Sequence, residues 1–290
     1  MPKSFDCLTK ADTIYCDEAG FDAFKILIDP RNLEFVECLK TSEASSIFHV
    51  NYSYKPRVLK VFHNNGDPGY ASDCIHDLNR ARCEIRAYCR LKQFGICNTG
   101  YVPDFYGYMP TIDPARYAPH LNEFLHDINT PSAILIEYLP KPQPLNCVTY
   151  TPERMHNAVL GIQQIHSALV EHNDPYPKNI LIIPGDPERV MWVDFDVAIV
   201  YPVGKRQRPW LDLETEVVES FGSLLVCHLS TLAVVLRLTM PAGRRPEEGS
   251  PTKYKVLLEI STSQAILLFT KAASRHCTQH PKVPEAEKNS

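Results

Sequence analysis

The chain has 290 residues, of which 44% are hydrophobic and 22% charged, proportions that exclude a wholly disordered, collagen-like or coiled-coil protein. This length suggests one large domain or two small ones. The formal net charge of −4 gives no general attraction to nucleic acid or to an anionic membrane, so we expect neither as a partner. Glycine is scarce, with 12 residues against 24 prolines, and any glycine-rich phosphate loop must be checked against that shortage.

Cysteine usage and apolar runs bear on the compartment. The ten cysteines include no C-x-x-C pair, and the first residues, MPKSFDCLTK, lack the apolar core of a signal peptide. We therefore expect reduced thiols in a cytoplasmic protein, with a nuclear location as the alternative. The longest apolar stretch, 221–240, has the length of a membrane span, but His228 and Arg237 interrupt it, which favours a buried core helix.

The first half of the chain predicts a small antiparallel sheet with one helix. Three strand-like runs, 33–38, 47–52 and 57–62, are separated by polar or proline-containing breaks. Apolar or small residues then follow a helical period over 78–91, and Gly95 stands where such a helix would end. Two further apolar runs, 104–108 and 133–139, predict a second strand pair. Residues 1–30 show no clear pattern and are interpreted as an N-terminal extension.

The second half begins at the run PKPQP, 140–144, a stiff extended crossing where we place a domain boundary. A long helix is predicted over 152–169, with proline at its first position and a buried apolar stripe. The runs 180–183 and 190–193, joined by a proline-containing turn, predict a hairpin. Residues 241–280 are interpreted as a divergent C-terminal segment, and 281–290 as a disordered tail.

Polar residues gather directly after the predicted long helix. Residues 172–179, HNDPYPKN, fit the pattern H-x-D-x-x-x-x-N, and the turn Asp194-Phe195-Asp196 begins fifteen residues after Asn179. These motifs resemble the catalytic loop and the metal-binding turn of the protein-kinase-like superfamily. A base before a strand, an amide five residues later and a carboxylate at the end of the returning strand can all face one phosphate site.

Upstream positions extend the resemblance. Lys60, in the run VLKV, resembles the strand lysine that binds phosphate, and Glu84 follows 24 residues later on the predicted helix, like the family's ion-pair glutamate. The run 136–139 resembles the hinge, whose backbone at Glu137 and Leu139 would hydrogen-bond adenine. The resemblance covers about residues 33–222, and the chain is similar to the divergent kinase-like proteins of filamentous fungi.

The resemblance implies an α+β, bilobal protein-kinase-like fold, with a small antiparallel-sheet N-lobe over 31–139 and a mainly helical C-lobe over 140–240. Only 69 residues follow Phe221, so the C-lobe is either abbreviated or ends in a tail unlike that of its relatives. It also implies an ATP- and Mg²⁺-dependent phosphotransferase that transfers the γ-phosphate to a hydroxyl of a protein or small molecule.

Roles for individual residues follow from the resemblance. Asp174 would accept the proton of the acceptor hydroxyl, and Lys178 would add positive charge beside the transferring phosphoryl group. Lys60, oriented by Glu84, would bind the α and β phosphates. The expected metal ligands are Asn179 and Asp194, with Asp196 as an additional metal or acceptor contact.

Two departures fall where the family has glycine. The segment 39–46, LKTSEASS, occupies the place of the glycine-rich loop, where a Cβ takes space that glycine leaves free. We expect its small residues to substitute in part, with hydroxyls and amides able to donate, although Glu43 sits badly near phosphate. Asp196 stands where protein kinases have glycine, which is similar to the aminoglycoside and choline phosphotransferases.

Asn173 replaces an arginine that receives an activation-loop phosphate in many protein kinases, so we expect no switching by loop phosphorylation.

Taken singly, the same residues have ordinary alternatives. Lysine is mostly exposed in proteins, so Lys60 alone would be a solvated strand residue. Glu84 alone would be a surface charge, able to pair with Arg80 at i−4. Asp194 and Asp196 alone could end a strand and cap a helix. Their order along the chain is what favours a phosphotransferase.

Two other classes of function stay open at this point. The chain could be a pseudokinase, a nucleotide- or protein-binding module without turnover, which the glycine-free segment 39–46 favours. It could also be a chain whose core closes only against a partner, since few residues remain for the C-lobe.

Overall fold

The computed structural model describes residues 18–73, 75–203 and 208–239. The chain divides into two compact units, Met1–Val234 and Val235–Ser290, and almost all of the described residues belong to the first. The predicted C-terminal segment 241–280 and tail 281–290 lie outside the described residues, as do residues 1–17 of the predicted N-terminal extension. The predicted boundary at residues 139 and 140 stays a prediction.

An antiparallel sheet of five strands forms the first half of the described chain, in the order β1-β2-β3-β5-β4. The predicted three-strand meander and the second strand pair are both confirmed. The strands are β1 (Leu33–Thr41), β2 (Ser45–Tyr52), β3 (Lys55–Phe62), β4 (Phe105–Met109) and β5 (Ser132–Glu137).

Side-chain alternation along the central strands separates a core from a cleft face. Phe48 and Val50 of β2 and Leu59 and Val61 of β3 belong to one hydrophobic core cluster. Because successive strand residues point to opposite faces, Lys60 is directed away from that cluster. The pattern VLKV in β3 therefore sets a cation on the face opposite the core.

Helix α1 (Arg80–Gln93) confirms the predicted helix of the first half. Asn79 caps its start, since the Asn79 side chain accepts a hydrogen bond from the Arg82 amide. The helix ends before Gly95, which adopts the left-handed conformation with φ of 76°. Its buried positions include Glu84 and Tyr88, a carboxylate and an aromatic ring four residues apart on one face.

Two small sheets and two helices form the second half of the described chain. The predicted hairpin is confirmed, and residues 143 and 144 of the predicted crossing pair with its first strand as a short edge strand. Thr151 caps the long helix, accepting from the Arg154 amide, with Pro152 at its first position. The elements are β6 (Gln143–Pro144), α2 (Pro152–Ser167), β7 (Val170–Glu171), β8 (Ile180–Ile183), β9 (Arg189–Trp192), β10 (Ile199–Val200) and α3 (Arg208–Thr239).

Helix α3 covers most of the apolar stretch 221–240 and buries Phe221 in the protein interior. The side chains from residue 226 onward lie outside the described part, so the predicted burial there stays a prediction. Within the described ranges, α3 included, no helix combines the length and the apolar character that crossing a membrane requires.

Residues 18–32 are part of the sheet's packing, a placement that sequence analysis did not predict. A 3-10 helix, Glu18–Phe24, buries Phe21, and Ile28 joins the core cluster of the sheet. The Ile26 amide donates to the Tyr108 carbonyl at 2.9 Å, which attaches this segment to β4. The segment has no periodicity of its own because it packs as irregular backbone along a strand edge.

We predict that Gly107→Ala destabilises the fold more than Gly66→Ala does. Both glycines have positive φ angles, 137° and 109°, so both substitutions strain the backbone. A Cβ at Gly107 would stand 2.6 Å from Ile26 Cγ2 and 2.7 Å from the Phe24 carbonyl oxygen, whereas nothing lies within 4 Å at Gly66. The difference in unfolding free energy, measured by urea denaturation, should be about 1–3 kcal/mol. Equal losses would contradict the packing of the N-terminal segment on β4.

Candidate functional site

A buried lysine joins three separate segments of the chain. Lys60 Nζ of β3 lies 2.6 Å from Glu84 Oε2 of α1 and 2.8 Å from Asp194 Oδ1, just after β9. The lysine and glutamate side chains are only 5% and 2% exposed, so the pair is shielded from water on nearly all sides. The structure thus brings together three of the residues singled out in the sequence, although 134 positions separate Lys60 from Asp194.

The electrostatics of this triad keep Lys60 positively charged. Burial alone would lower the pKa of Lys60, but the attraction of Glu84 and Asp194 raises it above its ordinary value. Burial raises the pKa of Glu84 to about 7, against the opposing attraction of Lys60. For Asp194, burial acts to raise the pKa, but the charge and hydrogen bond of Lys60 bring it below its ordinary value. Lys60 thus favours the ionised form of Asp194.

Side chains of the predicted catalytic loop, 172–179, contact one another. Asn179 is buried, and its Nδ2 donates to both the carbonyl oxygen and Oδ2 of Asp174, each at 2.9 Å. Lys178 Nζ lies 2.9 Å from the same Asp174 Oδ2, but its side chain is 62% exposed. The Val193 amide donates to the Asn179 carbonyl at 3.0 Å, which places the loop one residue from Asp194.

A carboxylate from α3 holds the backbone of this loop, and sequence analysis missed it. Glu214 is buried, and its two oxygens accept from the amides of His172 at 3.0 Å and Asn173 at 2.7 Å. Its Oε2 also lies 2.7 Å from His166 Nε2 of α2. Asn173 has a φ of 61°, a left-handed conformation that asparagine tolerates better than most residues. The available signal was spacing: position 214 falls on the buried stripe of α3, between Leu211 and Val218.

A series of aromatic contacts connects α1 to the predicted catalytic loop. Tyr88 stacks on Phe105 of β4 with ring centroids 5.4 Å apart, and meets the ring of Phe195 edge-on, also at 5.4 Å. Phe195 in turn lies 4.8 Å from the ring of His172. Because Phe195 sits between Asp194 and Asp196, this series of contacts fixes the turn that carries both carboxylates.

The oxygens that remain free in this region suit a magnesium ion. Asp194 uses Oδ1 for Lys60 and Asn179 uses Nδ2 for Asp174, so among the described residues Asp194 Oδ2 and Asn179 Oδ1 have no hydrogen-bond partner. Carboxylate and amide oxygens are the ligands that Mg²⁺ takes, usually with several waters. The described residues contain no group of three or more His, Cys, Asp or Glu side chains placed to hold a metal. A site here would therefore rely on the Asp194 and Asn179 oxygens and on groups from a substrate.

Asp196, the third expected metal contact, is paired with a cation instead. Its Oδ2 lies 2.5 Å from Arg80 Nη1, at the first residue of α1. The i−4 pair between Arg80 and Glu84 that sequence alone could suggest is not formed, since Glu84 faces Lys60. Asp194 has a φ of 69°, a left-handed conformation that is uncommon outside glycine and asparagine.

Lys60, Arg80, Asp194 and Asp196 line a cleft of about 470 Å³ at the turn between β1 and β2, whereas Glu84, Asp174 and Asn179 are not part of its lining. Three cationic side chains, Lys40, Lys60 and Arg80, line the cleft. The acidic side chains in its lining are Glu43 from the turn and Asp194 and Asp196, which follow β9. The lining residues are Lys40, Ser42, Glu43, Ala44, Ser45, Ile47, Lys60, Arg80, Asp194 and Asp196.

The glycine-free turn uses its polar groups internally. Ser42 donates through its amide at 2.9 Å and its hydroxyl at 3.0 Å to the Ser45 carbonyl, and the Ser45 amide donates back to Ser42 Oγ at 3.2 Å. Ser46 Oγ donates to Thr41 Oγ1 at 3.1 Å. We expected these hydroxyls and amides to be available to phosphate, and they are occupied because the tight turn between the strands needs them.

The predicted hinge residues, Glu137 at the end of β5 and Leu139 just beyond it, do not line the 470 Å³ cleft. The Glu137 amide donates to the Asp104 carbonyl at 2.9 Å, and Glu137 Oε1 accepts from Arg189 Nη2 at 2.8 Å. Leu139 packs in a small hydrophobic cluster with Ile183 and Met191. The Glu137 amide is therefore taken by pairing with Asp104, in line with the predicted strand pair, and the adenine contacts expected of the backbone at Glu137 and Leu139 stay a prediction.

Two groups of expected site residues thus come together in space. Lys60, Glu84 and Asp194 form one, and Asp174 with Asn179 forms the other, one residue away through Val193. No protein-family model matches the chain, and no curated protein matches it either.

We predict that Glu214→Gln lowers the unfolding free energy by about 1–3 kcal/mol, because one amide hydrogen of the loop loses its buried acceptor. Glu216→Gln on an exposed position of the same helix is the matched control, with an expected change within about 0.5 kcal/mol. Hydrogen exchange at the amides of His172 and Asn173 should accelerate only in the first variant. Equal stability and equal exchange in both variants would contradict the anchoring role of Glu214.

Proposed function

We propose that the chain is an ATP- and Mg²⁺-dependent phosphotransferase with a bilobal protein-kinase-like fold. The observation that carries the proposal is the buried Lys60 between Glu84 and Asp194. Isolating a charge from water is costly, so a lysine held this way needs both acids as partners. In a phosphotransferase the arrangement has a use, since Lys60 and Asp194 line a cleft that is wide enough for phosphate groups.

Nucleotide phosphates would enter this cleft beside Lys60, Lys40 and Arg80. Asp194 Oδ2 and Asn179 Oδ1 are the oxygens that would hold Mg²⁺. When bound, Mg²⁺ would neutralise part of the negative charge of the β and γ phosphates.

Asp174 is the proposed general base for the acceptor hydroxyl. Its carboxylate accepts from Asn179 and lies 2.9 Å from Lys178 Nζ, so its orientation is fixed from two sides. The exposed Lys178 has the reach to add positive charge at the transferring phosphoryl group. A carboxylate held within hydrogen-bond reach of the acceptor can remove its proton as the new phosphate ester bond forms.

The acceptor class is a hydroxyl of a protein or of a small molecule. Asp196 in place of glycine is similar to the aminoglycoside and choline phosphotransferases and favours the small molecule. We place the protein in the cytoplasm, with the nucleus as the alternative. In the described part of the chain Cys38, Cys83, Cys97 and Cys147 are free thiols and all but Cys38 are buried, which suits a reducing compartment.

A pseudokinase is the second candidate, and one specific observation favours it. The turn between β1 and β2 has its serine donors occupied internally, and Glu43 adds a negative charge to the cleft lining. Such a turn offers phosphate fewer backbone donors than a glycine-rich loop does. This candidate keeps nucleotide binding but has no turnover.

We predict that Asp194→Asn abolishes the Mg²⁺-dependent part of ATP binding, weakening it by about tenfold or more, because a charged metal ligand is lost. Thermal shift with ATP in the presence and absence of Mg²⁺ measures this. Asp212→Asn, on an exposed position of α3, is the matched control and should behave as wild type. An equal Mg²⁺·ATP shift in wild type and Asp194→Asn would refute the proposed metal site.

We predict that Asp174→Asn lowers phosphoryl transfer by about 10²- to 10⁴-fold, since it removes the general base, while ATP binding is retained. The measurement is transfer from labelled ATP to a panel of peptides, aminoglycosides and amino alcohols. A wild-type rate no higher than that of Asp174→Asn on every acceptor, with Mg²⁺·ATP binding intact, would select the pseudokinase.

A further inference from the structure

The contact between Arg80 and Asp196 is not used in the function proposed above, and it lies at the centre of the cleft. Arg80 is one helical turn before Glu84, so both side chains project from the same face of α1. Glu84 reaches the lysine of β3, and Arg80 reaches the second carboxylate of the turn after β9. One helix face therefore supplies an acid to the lysine and a cation to the turn.

The two side chains of this pair differ in their exposure to water. The Asp196 side chain is only 13% exposed, whereas that of Arg80 is 52% exposed. A carboxylate with so little contact with water needs a counter-charge, and Arg80 provides it at 2.5 Å. The guanidinium itself stays open to the cleft, where phosphates would lie.

Arg80 also has donors to spare. A guanidinium carries five N–H groups, and among the described residues only Nη1 has a hydrogen-bond partner, Asp196. The hydrogen bond to Asp196 raises the pKa of Arg80, and the charges of Asp194 and Asp174 raise it further. The guanidinium is thus a permanent cation within the field of all three carboxylates, with free N–H groups that suit phosphate oxygens.

A divalent cation and a guanidinium compete for the same carboxylate. A metal at Asp196 would have to share the carboxylate with Arg80, which already contacts Oδ2, and the two positive charges would repel each other at close range. Arg80 therefore provides a fixed cation at Asp196, where the pattern Asp194-Phe195-Asp196 would suggest a metal ion. A side-chain cation differs from an ion in that its position does not depend on metal concentration.

We propose that Arg80 takes the place of a second divalent cation, so that the chain binds one metal ion per nucleotide and contacts the phosphates through the free N–H groups of Arg80. The inference rests on the proposed function. It assigns Asp196 to Arg80 rather than to a metal, and it makes Arg80 a phosphate-binding residue.

Counting bound Mn²⁺ by electron paramagnetic resonance tests this inference without any turnover. The full chain is titrated with Mn²⁺ in the presence of a non-hydrolysable ATP analogue, held below the protein concentration so that all of it is bound. Wild type should bind one ion per nucleotide. Arg80→Ala should bind two, because Asp196 is then free to act as a ligand, and adding Asp196→Ala should restore one.

Arg80→Lys is the matched control, since it keeps a cation at the position and should bind one ion. Arg80→Ala should also bind the analogue about tenfold more weakly when no metal is present, as charge-assisted contacts to phosphate are lost. Thermal melts verify that each variant is folded.

The outcomes separate this inference from the function on which it rests. Failure of wild type to bind Mn²⁺ with the nucleotide analogue, or equal binding by Asp194→Ala, contradicts the phosphotransferase itself. Two ions per nucleotide in wild type, or one in both wild type and folded Arg80→Ala, contradicts only the role of Arg80.

Discussion

A single buried cation constrains the rest of the described structure. Lys60 has almost no contact with water, so its charge is tolerated only where Glu84 and Asp194 both reach it. The strand β3, the helix α1 and the turn after β9 must therefore converge at one point, although 24 and 134 positions separate the partners. Rotating α1 by one residue would withdraw Glu84 and leave Asp194 as the acidic partner of the buried lysine.

The same helix face couples this ion pair to the catalytic loop. Tyr88 lies one turn after Glu84, and its ring contacts Phe195, which separates the two carboxylates of the turn. Phe195 meets His172, whose amide is held by Glu214 from α3. A displacement of α1 would thus change both the charge partner of Lys60 and the packing of the loop that carries Asp174. The proposed base and the proposed phosphate ligand are kept in register by packing rather than by direct contact.

Local patterns predicted what depends on local chemistry, and long-range contacts account for what they missed. The strands, α1 and the hairpin follow from periodicity and capping. The kinase resemblance led us to expect Lys60 beside Glu84, whereas the contact of Lys60 with Asp194, which we expected as a metal ligand, was not predicted. Glu214 was missed because an acidic residue on a helix is usually exposed to solvent. Its role becomes apparent only when the helix face that carries it is known to be buried. The pairing of the Glu137 amide with Asp104 accompanies an irregular register between β4 and β5, a detail that strand periodicity does not predict.

The scarcity of glycine now has a structural counterpart at the two positions where the kinase resemblance expects that residue. In the turn between β1 and β2, Ser42 and Ser45 satisfy each other's polar groups, so the amides of these two residues are not available to a phosphate. At the other position, Asp196 introduces a charge that glycine would not, and Arg80 neutralises it. In the proposed function, both departures would shift the binding of phosphate from backbone amides to side-chain cations. Because a guanidinium or ammonium acts over a longer range than a neutral amide, a cleft lined by such cations can hold phosphates without the close backbone approach that glycine permits.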